Sequence, residues 1–176
     1  MIAPNKFILD ATAGFRMMWF DKHHPNALYL DERPECEPDI IGDFRHLSQF
    51  PDKKFKFIVF DPPHFFRSES TRTGSLVNQF GALNPDTWKN DLTRGFNELW
   101  RILDDYGILV FKWSDYCMTA TRALEQFPVK PLIYQITASG LKSSTKQKDG
   151  KHTAWFCFMK IPKDCEGHSQ NNPGGA

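Results

Sequence analysis

Short apolar runs that alternate with helical periodicity limit what this chain can fold into more than any other feature. The runs lie at 7–11, 27–31, 39–43, 55–60, 107–113, 131–137 and 154–161. Strands that are apolar along their whole length are typical of parallel sheets with both faces covered. The last two runs are joined only by a polar loop, which favours antiparallel pairing between them. We therefore expect an α/β, doubly wound sheet of about seven strands, mostly parallel, with an antiparallel C-terminal hairpin.

The clearest helix is predicted between the fourth and fifth strands. Its apolar residues recur at offsets of three and four and share one face: Trp88, Leu92, Phe96, Leu99, Trp100 and Leu103. Asn84 and Pro85 suit the start of a helix, and Gly107 is expected to stop it. A second helix is predicted from about Asp115 to Phe127.

Composition places the chain among globular proteins. Hydrophobic residues make up 40% and charged residues 24% of 176 residues, and the formal net charge is +1. No apolar run approaches the roughly 20 residues that span a bilayer, and the first residues lack the apolar core of a signal peptide. We expect a cytoplasmic protein with one domain at 1–163, a flexible tail at 164–176 and no membrane partner.

Cysteine and histidine spacing gives no sign of a metal site. The four cysteines, Cys36, Cys117, Cys157 and Cys165, form no paired motif, and His23, His24 and His46 have no partner at a ligand-like spacing. We expect neither a metal ion nor a disulfide framework.

Ligands of doubly wound sheets bind beyond the carboxyl ends of the strands, so the residues at those ends are the candidates for a binding site. The first strand leads into Asp10–Arg16, a turn of small residues in which Gly14 allows close approach of a ligand. Asp31 follows the second strand, where a carboxylate can accept both hydroxyls of a ribose. Asp43 and Phe44 follow the third and offer an acceptor beside an aromatic face, which suits adenine. Each feature also occurs without function, as an ordinary tight turn or a solvated aspartate.

The fourth strand ends in Asp61-Pro62-Pro63-His64, the strongest local signal. Two prolines stiffen the turn, so that a carboxylate and the Pro62 carbonyl can both accept protons from one amino group. His64, Phe65 or Phe66 would then stack on a flat substrate. The alternative is a strand stopped by prolines, with its aromatic residues in the core.

Together these features resemble the class I S-adenosylmethionine-dependent methyltransferases over about residues 5–161. The segments DATAGFRMMWFDK, FIVFDPPH and GILVFKW are similar to small bacterial and phage members, and D-P-P-H is similar to the motif of the amino methyltransferases. Those enzymes methylate adenine N6, cytosine N4 or glutamine amide nitrogens. The resemblance implies a Rossmann-like fold and S-adenosyl-L-methionine as cofactor.

The resemblance also implies a role for each strand end. Asp10, Ala11 and Gly14 would hold the methionine part of the cofactor, Asp31 the ribose, and Asp43 with Phe44 the adenine. Asp61 and Pro62 would orient the target amino group, with His64 beside it. The chain departs from the family pattern in two ways. It has Ala11 and Ala13 where the family has a pair of glycines, and its connections after the second and third strands are too short for full helices.

Two polar segments are predicted to face the substrate. Arg67–Leu83 follows D-P-P-H and has the length of a functional lid. Gly140–Lys163 contains six lysines, among them Lys142 and Lys146, which suit phosphate contacts or simply form a solvated loop. Lys112, near the end of the fifth strand, either points to the rim of the site or lies along the surface. The predicted substrate-binding residues are Phe65, Lys112, Lys142 and Lys146.

The sequence thus predicts a methyltransferase acting on an exocyclic amino nitrogen, most readily adenine N6 in DNA or RNA, with a possible protein partner for specificity. Methylation of a protein amide or a small molecule stays open, as does an inactive subunit that binds the cofactor. A nicotinamide-dependent dehydrogenase is disfavoured, because the first turn lacks G-x-G-x-x-G.

Overall fold

The computed structural model describes residues 5–66, 81–138 and 152–162. The predicted tail, Lys142, Lys146 and most of the predicted lid lie outside these ranges. Within them, no helix is long and apolar enough to cross a membrane. The division into one domain and a tail stays a prediction.

Seven strands and two α-helices make up the described part of the chain. They are β1 (Ile8–Asp10), β2 (Ala27–Asp31), β3 (Ile40–Ile41), β4 (Phe55–Phe60), α1 (Trp88–Ile102), β5 (Leu103–Ser114), α2 (Ala120–Leu124), β6 (Ile133–Ala138) and β7 (His152–Met159). A single 3₁₀ turn, Pro34–Cys36, lies between β2 and β3.

The strands form one sheet in the order β3-β2-β1-β4-β5-β7-β6. The first five are parallel, and β7 pairs antiparallel with both β5 and β6. This confirms the predicted fold class and the C-terminal hairpin. From β1 the chain proceeds to one side of the sheet, and from β4 to the other. The carboxyl ends of β1 and β4 therefore meet at the point where strand order reverses, which is where such sheets bind ligands.

The main core lies between the sheet and α1. Leu92, Phe96 and Leu99 on the predicted face of α1 have no exposed surface. Phe96 stacks on Phe127 with 4.3 Å between ring centroids and meets Phe158 edge-on at 5.3 Å. Most of the many phenylalanines therefore serve packing rather than a site.

Both predicted helices end differently from expectation. The chain turns directly from Ile102 of α1 into β5, so Gly107 lies inside a strand, just after a left-handed residue (Tyr106, φ 59°). The second helix is shorter than the predicted Asp115–Phe127. The Asp115 carboxylate accepts a hydrogen bond from the Ala120 N–H at 2.8 Å, which holds the preceding residues in a turn and delays the helix.

The first connection, residues 11–26, forms turns where a parallel sheet ordinarily has a helix. Trp19 from this connection packs edge-on against Tyr29 of β2 with 5.1 Å between ring centroids. Together with Ala13 and Ala27 these residues form a second, smaller apolar cluster. One tryptophan thus covers part of the sheet that a helix would cover in a longer chain.

Candidate active site

A cavity of about 450 Å³ opens at the carboxyl ends of β1 and β4. Its walls come from the turn after β1, the D-P-P-H turn after β4 and the end of β5, and they include Gly14, Asp61, His64, Lys112 and Tyr116. The volume lies within the range of small-molecule sites, roughly 300–1,000 Å³. The structure therefore brings together the first turn, the D-P-P-H motif and Lys112, which are far apart in sequence.

Asp61 is the best-supported charged group of the cavity. Lys112 Nζ donates a hydrogen bond to its Oδ2 at 2.6 Å. His64 Nε2 lies 2.9 Å from Oδ1, but the contact is poorly aligned, so this buried oxygen has no hydrogen bond within the described residues. The Asp61 N–H donates to the Thr12 hydroxyl at 2.7 Å, which joins the ends of β4 and β1. One carboxylate oxygen is thus fixed, and the other is short of a donor.

The Asp61 carboxylate stays ionised at neutral pH. Burial alone raises its pKa, but the neighbouring His64 ring and the Lys112 ammonium group outweigh burial and hold the pKa below its ordinary value. The sequence left open whether Lys112 would reach the site. Its place between buried Phe111 and buried Trp113 on β5, with its own side chain on the opposite face, was the available signal.

The aromatic residues after Pro63 divide between site and core. His64 meets Trp113 edge-on with centroids 5.0 Å apart, and Phe65 lies 4.2 Å from the Tyr116 ring; His64, Phe65 and Tyr116 all line the cavity. Phe66 instead packs against Trp88. Both interpretations of this motif therefore apply, each to different residues.

Asp10 lies behind the cavity rather than in its wall. Its carboxylate is fully buried and accepts hydrogen bonds from Trp19 Nε1 at 2.7 Å and from the Thr12 N–H at 3.2 Å. Burial is the main reason that its pKa rises to about 7. It fixes the turn that ends in Gly14, whose φ of 49° suits glycine. Ala11 is buried beside this turn and lines a smaller neighbouring cavity.

Asp31 and Asp43 are each paired with the arginine two residues later. Arg33 donates from Nε to Asp31 Oδ1 at 2.9 Å and from Nη2 to Oδ2 at 3.1 Å. Arg45 donates from Nε to Asp43 Oδ1 at 2.8 Å. For both aspartates burial raises the pKa, but the arginine contacts outweigh it and leave the pKa below its ordinary value. The repeated Asp-x-Arg pattern was visible in the sequence, but its pairing was not predicted.

Phe44 is placed largely by packing. Its ring lies 5.2 Å from that of Phe60 and beneath Gly95 of α1. With Ala11, Asp31, Arg33, Asp43 and others it lines the smaller cavity, of about 40 Å³. The residues predicted for ribose and adenine are therefore adjacent, and the space between them is small in this conformation.

Exposed apolar side chains border the main cavity. Phe15, Met17 and Tyr116 line it and are also exposed at its mouth, and Phe20, in the same connection as the first two, is fully exposed. Sequence reasoning missed them. Phe15, Met17 and Phe20 lie in the connection after β1, and Tyr116 lies in a segment that was predicted to be a helix. Among the described residues, no group of three or more acidic, histidine or cysteine side chains is placed to hold a metal ion.

No family model matches the chain, and no curated protein matches it by sequence. Several solved structures share its fold. The [4+2]-cyclase SpnF matches with a TM-score of 0.59 and 11% identity over 88% of this chain and 75% of its own. TrmN from Thermus thermophilus gives 0.54 and 13% over 88% of this chain and 43% of its own. A SAM-dependent methyltransferase from Methanosarcina mazei gives 0.51 and 12%, covering 89% of this chain and 92% of its own.

At these identities the likeness concerns the fold alone. A cyclase and methyltransferases share this architecture, so the reaction must be argued from the site.

Proposed function

We propose that the chain is an S-adenosylmethionine-dependent methyltransferase that transfers a methyl group to an exocyclic amino nitrogen. The fold supports the cofactor class, since solved structures with this fold include SAM-dependent methyltransferases. The observation that carries the proposal is the Asp61-Pro62-Pro63-His64 turn, which borders a cavity at the reversal of strand order. It contains a buried carboxylate oxygen that accepts no hydrogen bond from any residue that the structure describes.

The residues present fit the cofactor in type and position. The cavity beside the Gly14 turn suits its amino acid end, and Asp31 and Asp43 are acceptors on adjoining strands for the ribose and the adenine. When bound, S-adenosylmethionine would supply a methyl group on a positively charged sulfur, a good leaving group. Because both acids are paired with arginines here, binding also requires these contacts to rearrange.

Asp61 would orient the acceptor. Its Oδ2 is held by Lys112, while Oδ1 lies under the edge of His64 and can accept a hydrogen from an amino group that enters the cavity and displaces that edge. Such a bond aims the nitrogen lone pair and stabilises the positive charge that grows on nitrogen as it is methylated. A carboxylate with a depressed pKa is a weak base, so its contribution is alignment and charge stabilisation.

The mouth of the cavity supports a flat acceptor. Phe15, Met17 and Tyr116 present apolar surface around a polar floor made by Asp61 and Lys112. A purine ring matches both parts, with its face on the rim and its amino group at the floor. Adenine N6 in DNA or RNA is therefore the proposed target.

The test combines binding with methyl transfer. Calorimetric titration with S-adenosylmethionine and with its demethylated product should show binding, and NADH should not bind. Radiolabelled S-adenosylmethionine is then incubated with DNA, RNA and protein, and the products are digested to nucleosides and amino acids. Label in N6-methyladenosine or its deoxy form is the expected result. Label in amino acids would move the proposal to a protein amide, and binding without turnover would indicate an inactive cofactor-binding subunit.

Asp61→Asn is expected to lower the rate of methyl transfer at least a hundredfold, because the neutral amide stabilises a growing positive charge poorly. Binding of the demethylated cofactor should change little. Asp105→Asn is a matched control, since Asp105 also pairs with a lysine, Lys53, at 2.6 Å, but at the amino end of the sheet. Unchanged transfer by Asp61→Asn would refute the assigned role of this residue.

A further inference from the structure

The Asp31 carboxylate has all its acceptor positions filled by the protein itself. Oδ2 accepts from the Gly14 N–H at 2.7 Å and from Arg33 Nη2 at 3.1 Å. Oδ1 accepts from the Arg33 N–H at 3.0 Å and from Arg33 Nε at 2.9 Å. An ionised carboxylate offers about four lone-pair positions. Two of them are used by backbone groups and two by one guanidinium.

A ribose needs two acceptor positions on the Asp31 carboxylate, the same number that the Arg33 guanidinium uses. Its two hydroxyls would each donate one hydrogen bond, and the backbone contacts leave room for two. Arg33 and a ribose therefore cannot both be bonded to Asp31 in full. The competition is specific to hydroxyl donors.

Arg33 also stands between the two cavities. Its side chain lines the cavity of about 450 Å³ and the one of about 40 Å³, and its Nη2 lies 3.3 Å from where a Cβ on Gly14 would be. Thr12 and Pro63 also line both cavities. Arg33 is the residue of these three that also fills acceptor positions of Asp31.

From these contacts we infer that Arg33 is a gate that closes the ribose subsite from within. The inference rests on the proposed function, since it concerns the cofactor of that site. In the closed state Arg33 pairs with Asp31, and in the open state ribose hydroxyls replace it. Cofactor affinity is then reduced by the fraction of molecules that are closed.

Arg45 has the same local pattern but a different role. Besides Asp43, it lies 3.2 Å from Asp91 of α1, so it ties the end of β3 to the helix. Its release would break a contact between elements. We assign the gate to Arg33 because it lines both cavities and fills acceptor positions of the carboxylate predicted for the ribose.

The test compares Arg33→Met, which keeps much of the apolar stem, with the wild type by calorimetry. The ligands are S-adenosylhomocysteine, adenosine and 2′,3′-dideoxyadenosine, which lacks both hydroxyls. We expect the variant to bind the first two about tenfold more tightly, the size expected for two charge-assisted hydrogen bonds in partial exposure. Dideoxyadenosine should show no gain. Arg94→Met, at an exposed position of α1, controls for the lost charge.

The outcomes separate the gate from the proposed function. Equal or weaker binding by Arg33→Met, or the same gain with dideoxyadenosine, overturns the gate and leaves the function standing if the wild type binds S-adenosylhomocysteine. If the wild type and Arg33→Met are both folded and neither binds S-adenosylhomocysteine or adenosine, the gate and the proposed function are both overturned. If Arg33→Met does not fold, as judged by circular dichroism, Arg33→Gln gives the same comparison.

Discussion

The carboxyl group of Asp10 is fully buried behind the main cavity and does not line it. Trp19 and the Thr12 N–H satisfy it, and burial raises its pKa to about 7, compared with an ordinary value of 3.8. A group with a raised acid pKa binds its proton more tightly in the folded state. The free energy of unfolding therefore falls as pH rises from about 4 to 7 and then levels off.

Asp10→Asn should remove this pH dependence. We expect the difference in unfolding free energy, variant minus wild type, to increase by about 2–3 kcal/mol between pH 5 and pH 8. The nearby Asp31 and Asp61 stay ionised throughout, because their pKa values lie below 3.8. Urea denaturation at several pH values measures the difference, and a constant difference would contradict a raised Asp10 pKa.

The positions of the acids were predictable at this scale, but their partners were not. Asp31, Asp43 and Asp61 end apolar runs, and the ends of such runs mark the ends of strands. Whether Arg33 returns to Asp31, and whether Lys112 reaches Asp61, depends on side-chain conformation and on the pairing of β4 with β5. The periodicity of a single sequence gives no information on side-chain conformation or on the pairing of β4 with β5.

The position and buried face of helix α1 were predicted because its apolar residues repeat through four turns, but its end was not. What periodicity did not indicate is the function of Gly95, which lies on the buried face of the helix. A Cβ at this position would come within 2.4 Å and 2.5 Å of Phe44 ring atoms. The helix therefore approaches the end of β3 closely enough to fix Phe44 beside Asp43.

Gly95→Ala should displace the Phe44 ring and destabilise the fold by about 1 kcal/mol. Overpacking costs typically about 1–3 kcal/mol, and the better helix propensity of alanine returns about 1 kcal/mol. Asn97→Ala, on the exposed face of α1, should be neutral or slightly stabilising. Thermal unfolding measures both, and a gain in stability for Gly95→Ala would show that Phe44 moves without cost.

Strand β6 is the last strand at one edge of the sheet, and within the described ranges it has little of the usual protection. It contains no charged residue or proline, and Ile133, Tyr134 and Ile136 are each more than half exposed. Edge strands ordinarily carry charges that prevent pairing with other chains.

Ile133→Lys should reduce concentration-dependent association on heating, at a cost in stability of about 0.5 kcal/mol or less. Light scattering during a temperature ramp measures the association. Ile41→Lys on β3, the opposite and shorter edge, is the matched control and should change scattering less. Equal effects of the two lysines would mean that added charge, rather than the β6 edge, decides the outcome.

The class of the sheet was predicted from the sequence, but the order of its strands was not. Apolar runs favour a buried parallel interior, and a polar loop between the last two runs favours a hairpin. The brief connection between β3 and β4 joins strands that are not neighbours, so connection length does not give the order. The connections were harder to predict. Residues 11–26 form turns with the partly buried Trp19 rather than a helix, because one large ring can replace part of a helix in a short chain.

A ligand in the proposed cofactor site would contact the ends of β1, β2, β3 and β4 together, and so join both halves of the sheet. Binding to the folded state alone stabilises it by about 2.7 kcal/mol at a ligand concentration of 100 times Kd. For a chain of this size we expect S-adenosylhomocysteine at that concentration to raise the Tm by about 5–10 °C. Scanning calorimetry measures the shift. NADH should leave the Tm unchanged, and Asp105→Asn should keep the full shift because its ion pair lies at the opposite end of the sheet. A comparable shift with NADH would point instead to a general nucleotide site, because both ligands contain adenosine and differ in the group attached to its 5′ carbon.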